Sequence, residues 1–169
     1  HPSSPARCST SPAGHVPSEI LEFDGLDALE QAVGTHLGYS DWHAITQERI
    51  DQFAEATGDT QWIHTDPVRA ASGPFGTTIA HGYLSLSLIP MMMGEIYRVE
   101  GLSMGVNYGT GRVRFPAAVP VGSLLRAGAE LIAFERRSSG VQVTVLVTVE
   151  REGGDKPVCI AEVLALLVP

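Results

Sequence analysis

The sequence predicts an α+β fold in which helical elements come first, one long apolar helix lies at the centre, and a run of antiparallel strands wraps it. Three observations carry this expectation. The stretch from Ala80 to Tyr97 is apolar on nearly all sides, the pattern of a helix buried inside a domain. The last third of the chain alternates apolar and polar residues or carries β-branched runs. The helical and strand patterns are segregated along the chain rather than interleaved.

A length of 169 residues, with 44% hydrophobic and 18% charged side chains, suits one domain with a single sizeable core. The longest apolar run, Tyr83 to Gly94, is too short to span a bilayer and contains Pro90, so no membrane partner is expected. No early segment joins basic residues to an apolar stretch in the manner of a signal peptide. Cys8 and Cys159 lie far apart and fit no metal spacing, which points to a reducing, cytoplasmic setting without disulfides. The net charge of -8 argues against nucleic acid as a partner. The charge is uneven: residues 1–66 hold 11 acids and 2 bases, residues 67–169 hold 8 acids and 9 bases. Ten of the eleven bases are arginine, whose planar fork suits phosphate. An anionic ligand is therefore compatible with the second half of the chain.

The elements follow in order. Residues 1–20 begin with four prolines and five serines in the first 18 and read as a tail; the domain is expected over 21–169. Leu26, Leu29 and Val33 recur at helical spacing, with Gly34 as a stop. Tyr39 to Ile45 reads as extended. Thr46 is a suitable N-cap for a helix whose Ile50, Phe53 and Ala54 share a face and which ends near Thr57-Gly58. Gly58 to Gly76 is polar and turn-rich, with one helical turn near Val68 to Ala71. The buried helix over Ala80–Tyr97 is expected to bend at Pro90. Four strand-like segments complete the chain: VNYGTGRVRFP, LLRAGAELIAFERR, VQVTVLVTVER and CIAEVLALLV. In the third, Val141, Val143, Val145, Val147 and Val149 face one way.

Two features of the polar segment carry chemistry. Asp59 and His64 are five positions apart; a helix would splay them, whereas a loop that turns once brings both to one point. A carboxylate and an imidazole aimed together can activate a water, one accepting its proton while the other protonates a developing carbanion. Spacing alone favours Asp59 as a turn residue after Gly58 and His64 as a partly buried, hydrogen-bonded side chain. The second feature is His81-Gly82 at the start of the long helix. Unpaired N–H groups there favour negative charge, and a glycine lets a ligand approach the backbone. A carbonyl oxygen at Gly82 would be polarised as in an oxyanion hole. For His81 the structural role, a bond to a nearby backbone carbonyl, is the preferred reading. Together the two features suit an acyl thioester, its carbonyl at Gly82 and its chain along the apolar interior.

The stretch ATGDTQWIHTDPVRAASGPFGTTIAHG, Ala56 to Gly82, resembles the signature of the MaoC-like (R)-specific enoyl-CoA hydratases: Gly-Asp-x-Asn-Pro-aliphatic-His-x-Asp, small residues, then aliphatic-Ala/Val-His-Gly. Phe115 to Glu135, FPAAVPVGSLLRAGAELIAFE, resembles the family's following strand–turn–strand segment. The detail is most similar to short single-domain 3-hydroxyacyl-thioester dehydratases of actinobacteria, over Tyr39 to Pro169. The resemblance implies a hot dog fold, an antiparallel sheet around a long helix, in a homodimer whose two sheets join. It implies Asp59 and His64 as the dyad that activates water and the Gly82 N–H as oxyanion donor. The reaction would interconvert a trans-2-enoyl thioester of CoA or acyl carrier protein and the (R)-3-hydroxyacyl thioester, with no metal or redox cofactor. Two departures stand where the family has Asn-Pro: Gln61 keeps the amide with a longer reach, and Trp62 brings a bulky ring. A serine that some relatives carry eight positions beyond the glycine is Pro90 here.

Gln61, Trp62, Phe75, Arg112 and Arg114 are the substrate-binding candidates, with Arg69 a further cation for the phosphates of CoA. The arginines read equally as ordinary surface charges. Two other functions use the same fold: a thioesterase, in which water attacks the carbonyl carbon, and a non-catalytic acyl-thioester-binding protein.

Overall fold

The computed structural model describes residues 19–169; the proline- and serine-rich stretch 1–18 lies outside the described residues. Strand β1 (Leu21–Phe23) leads into the short helix α1 (Gly25–Glu30), then β2 (His36–Tyr39) and β3 (His43–Ala44). Helix α2 (Gln47–Thr57) starts where Thr46 accepts a hydrogen bond from the Arg49 N–H and ends at Gly58, whose left-handed backbone suits glycine. Helices α3 (Trp62–Thr65) and α4 (Pro67–Ala71) follow. Then come α5 (Gly82–Ser87), α6 (Ile89–Ile96) and β4 (Tyr97–Val99), and the long strands β5 (Met104–Arg114), β6 (Leu124–Arg137), β7 (Gly140–Arg151) and β8 (Cys159–Val168).

The main sheet runs β2-β6-β7-β8-β5, with β3 also paired to β6, and every pairing in it is antiparallel. β1 and β4 form a small parallel pair beside it. Irregular register in β6 after Leu131 and in β5 after Thr110 marks bulges, which add twist and curve the sheet. The concave face is lined by the five alternating valines of β7, each at most 2% exposed, with Leu125, Ala127, Ala129 and Leu131 of β6 and Cys159 and Ala161 of β8. Ile89, Met92 and Ile96 of α6 join that core at 0–1% exposure. Their i, i+3, i+7 spacing places them on one helical face. This is the α+β arrangement expected, a helical layer held in a curved antiparallel sheet.

Two expectations change. The helix expected over Ala80–Tyr97 is two helices, parted at Leu88. Pro90 lacks the N–H that would bond to the Leu86 carbonyl, so the chain starts a new helix with proline in its first turn. Nor is the segment buried on all sides: Tyr83 is 68% and Met91 40% exposed, so its outer apolar face is only partly covered by the described chain. In the polar segment α4 matches the expected turn, and α3 is an additional helix.

Cys159 opens β8 on the concave face with no exposed surface, and burial pushes its thiol up to about 11. A raised pKa leaves almost no thiolate near neutral pH, and the core blocks access. In a Cys8→Ser variant, Ellman's reagent at pH 8 is expected to leave the native protein unmodified and to titrate one thiol after denaturation. Rapid native reaction would place Cys159 at the surface.

Candidate active site

The site is built from three segments that the sequence spreads over sixty residues: the α2–α3 junction, the stretch that enters α5, and the connection from β5 to β6. Gly58 turns the chain sharply out of α2 and leaves Asp59 at the surface, its side chain 55% exposed. Helix α3 then carries His64 inward to 7% exposure. His64 Nδ1 lies 2.7 Å from the carbonyl oxygen of Ile79. A carbonyl only accepts, so Nδ1 holds the proton and the neutral ring leaves Nε2 with a free lone pair.

His81 is more deeply buried, at 3% exposure, and directly precedes α5. Its Nε2 donates to the backbone carbonyl of Asp59 at 2.9 Å, the structural role preferred from sequence. The same nitrogen stands 4.0 Å from the Asp59 carboxylate. The rings of His64 and His81 stack at 3.8 Å, and Phe53 of α2 packs against His81 at 4.9 Å. Asp59, His64 and His81 thus offer one polar atom each within 4.8 Å of one another. That separation is spanned by one water with two ordinary hydrogen bonds. The same trio has the composition of a metal site. However, stacked imidazoles direct their nitrogens side by side rather than toward a common centre, and one nitrogen of each ring already serves a carbonyl. The arrangement suits hydrogen bonding to water better than it suits an ion.

Gln47, the first residue of α2, holds His64 from behind. Its amide donates to the His64 carbonyl at 2.7 Å and to Asp51 at 2.9 Å, and its oxygen accepts from the Thr78 hydroxyl at 2.5 Å. It therefore locks α3 to the strand-like stretch that supplies the Ile79 carbonyl. Sequence reading missed Gln47 because its partners lie seventeen and thirty-one residues further along the chain.

A cavity of about 320 Å³ opens beside these groups, lined by His64, Phe75, Gly82 and Ser85 and walled by Phe115 and Val119, among others. Its surface is mostly apolar with few polar groups, as acyl-binding pockets are. Gly82 opens α5, where the first N–H groups have no helical acceptor. The glycine is required by space rather than backbone angle: a Cβ there would lie 2.8–3.0 Å from the Phe115 ring. Phe115 is 40% exposed and stacks edge-on to Tyr83 at 5.8 Å. Nothing in the local sequence pairs Phe115 with Gly82, since the contact depends on the course of the whole β5 strand.

The structure thus brings His64, Gly82 and Phe75 to one cavity, with Asp59 at its polar flank. Gln61 and Trp62 cap and open α3 but do not line it. Trp62 is clamped between the Arg69 guanidinium, 4.3 Å from its ring, and Gly73. Arg112 and Arg114 are exposed on β5, and neither lines the cavity. A larger cavity of about 440 Å³ lies between the α5–α6 junction and β5, but no carboxylate or imidazole borders it.

Comparison with known proteins places this geometry. The family model described as "MaoC like domain" matches residues 28–152. The chain is 53% identical over 141 residues to 3-hydroxyacyl-thioester dehydratase Z of Mycobacterium tuberculosis, covering 83% of this chain and 93% of the relative. It is 41% identical over 138 residues to nodulation protein N of Rhizobium leguminosarum, covering 80% and 86%. Among solved structures, the R-hydratase PhaJ1 of Pseudomonas aeruginosa superposes with a TM-score of 0.66 at 26% identity, over 80% of this chain and 81% of that one. The (R)-hydratase of A. caviae, at 24% identity and a TM-score of 0.65 over 81% and 96%, shares the fold. By family match and by these relatives alike, the chain belongs to the MaoC-like domain family and has its hot dog fold.

Proposed function

We propose that the protein is a hydratase/dehydratase that interconverts trans-2-enoyl and (R)-3-hydroxyacyl thioesters, with the domain over residues 21–169 as the catalytic unit. The observation that carries this reading is the trio of Asp59, His64 and His81 atoms within 4.8 Å, set against an apolar cavity that also holds Gly82. The 53% identity to a 3-hydroxyacyl-thioester dehydratase supports it.

The thioester carbonyl accepts from the Gly82 N–H, which draws electron density from C3. Asp59 and His64 hold one water. As the water oxygen bonds to C3, His64 Nε2 takes one of its protons and Asp59 accepts a hydrogen bond from the other. The C2–C3 π electrons move toward the carbonyl, and the oxyanion that forms stays at Gly82. The charge then returns to C2, which takes the proton from the His64 imidazolium. The sum is H and OH added across the double bond, with both side chains restored; dehydration is the reverse. No metal or redox group enters these steps. His81 gives no proton in them, because its Nε2–H is committed to the Asp59 carbonyl, where it fixes the backbone beside the carboxylate.

The substrate handle, CoA or an acyl carrier protein, meets the cavity mouth, where Phe75 stands at the wall and Trp62 with Arg69 lies on the adjoining surface. Arg112 and Arg114 supply positive charge from the β5 edge. That edge also supports a homodimer. Among the described residues β5 pairs only with β8, and near its unpaired edge Met104, Val106 and Tyr108 stand 43–66% exposed. Long apolar edges left open invite pairing, and a second copy of β5 would extend the sheet. No helix among the described residues is long and apolar enough to cross a membrane, and we place the enzyme in the cytoplasm on the thiol content described above.

Three outcomes test this reading. Crotonyl-CoA should lose its enoyl-thioester absorbance without release of free thiol, and Asp59→Asn or His64→Ala should lower kcat by at least about a hundredfold. Thiol release would make the protein a thioesterase, and tight binding without turnover a binding protein. Arg112→Glu should raise KM for an acyl-CoA several-fold with kcat little changed. Light scattering should give twice the 18.0 kDa chain mass, and Val106→Lys with Tyr108→Lys should shift it to the monomer. A monomeric parent protein would remove the dimer.

A further inference from the structure

One buried hydroxyl in this cavity has no use in the steps above. Ser85 is 1% exposed and lines the cavity with His64 and Gly82, yet its Oγ has no hydrogen-bond partner among the described residues. Serines inside helices ordinarily satisfy themselves by donating to the carbonyl four residues back. Ser87, two positions on, does so, to the Tyr83 carbonyl at 2.6 Å. Ser85 does not, so its hydroxyl is held in reserve at a cost: a buried unpaired hydroxyl destabilises a fold. An alanine in the same place would carry no such penalty.

The position explains what the reserve is for. Ser85 is three residues after Gly82 and shares its helical face. Side chains on a helix lean toward its N-terminus, so the Ser85 hydroxyl leans back over the turn that begins with the Gly82 amide. The group it meets there must be polar, and the cavity opens that turn to one carried by a ligand. We propose that Ser85 donates a hydrogen bond to the thioester carbonyl oxygen held at the Gly82 N–H, as the second donor of the oxyanion site. This rests on the hydratase reading and assigns that site a side-chain donor. Two donors fit the electron count of the reaction: a carbonyl oxygen has two lone pairs, and both gain charge as C3 is attacked. The competing role is structural. One turn earlier, His81 Nδ1 is also buried and unpaired, and with its proton on Nε2 it is an acceptor. A Ser85 hydroxyl turned toward it would serve the fold alone.

The two roles differ in what Ser85→Ala does. If Ser85 serves the substrate, kcat on crotonyl-CoA falls about tenfold to a hundredfold and KM stays within about twofold, while Tm is unchanged or rises. A second readout needs no turnover. In the Asp59→Asn background, isotope-edited infrared difference spectra of bound crotonyl-CoA should show the thioester carbonyl stretch shifted to lower frequency, and less so when Ser85 is also alanine. Wild-type-like kcat in Ser85→Ala overturns the proposal, as does an unchanged carbonyl stretch, or a kcat loss matched by a Tm drop of several degrees. A parent protein that neither binds nor hydrates any enoyl thioester would instead remove the hydratase reading and this inference with it. An active parent with an indifferent Ser85→Ala removes only the inference.

Discussion

Two imidazole-to-carbonyl hydrogen bonds hold this site together. His64, from the short helix after Asp59, is tied to the Ile79 carbonyl; His81, just beyond Ile79, is tied back to the Asp59 carbonyl. Each histidine fixes the backbone segment next to the other, and the stacked rings close the loop. The cross-tie answers the problem posed by the segment between α2 and α5, which is polar, turn-rich and short of apolar anchors. Buried backbone carbonyls need donors, and here the donors are the same rings that set the chemistry. Fixing the carbonyl partner fixes the tautomer, and fixing the tautomer decides which nitrogen is left to meet water. Gln47 extends the device by one layer, joining the His64 carbonyl to Thr78. The geometry of the candidate site and its local stability therefore come from one set of contacts.

This coupling explains which parts were legible in the sequence. The strands from Leu124 to Val168 were read nearly to the residue, because alternation of period two survives any tertiary context that buries one face. The α2 boundaries were legible from Thr46 and Gly58, whose capping roles are local. The broken helix was only half legible: Pro90 signalled a disturbance, but apolar composition on all sides suggested full burial, and the structure leaves Tyr83 and Met91 open. Hydrophobicity alone does not distinguish a face that meets the chain's own core from one that meets a neighbour. The site divides in the same way. Asp59, His64 and Gly82 stood out because they lie in one compact stretch with chemical character. Gln47, Phe115 and Ser85 did not, since their importance depends on contacts or burial that only the fold creates.

Gly82 shows how the two kinds of evidence combine. From sequence its value was closeness of approach for a ligand. In the structure the nearest occupant is the Phe115 ring, which a side chain at 82 would strike. The ring follows directly on β5, the strand whose outer edge is unpaired among the described residues. Any partner that pairs with β5 therefore also fixes the strand that delivers Phe115 to the cavity. A second copy paired there would link assembly and site shape through one strand, without a separate signalling element.

The unpaired polar atoms of this cavity have a consistent logic. A folded chain tolerates very few buried donors or acceptors without partners, because each costs stability and none can be recovered from solvent. Of the three such side-chain atoms among the described residues, two, His81 Nδ1 and Ser85 Oγ, lie at the start of α5, on either side of Gly82. The sheet core shows what this chain does when chemistry is not at stake: alternating valines, a buried Ser40 hydroxyl that both donates and accepts, every strand bonded to its neighbours. Instability concentrated at one turn, inside an otherwise well-satisfied fold, is what a binding site looks like before its ligand arrives. The carbonyl that completes it recovers the desolvation already spent on those groups. It therefore gains more from a hydrogen bond there than from the same bond formed in water.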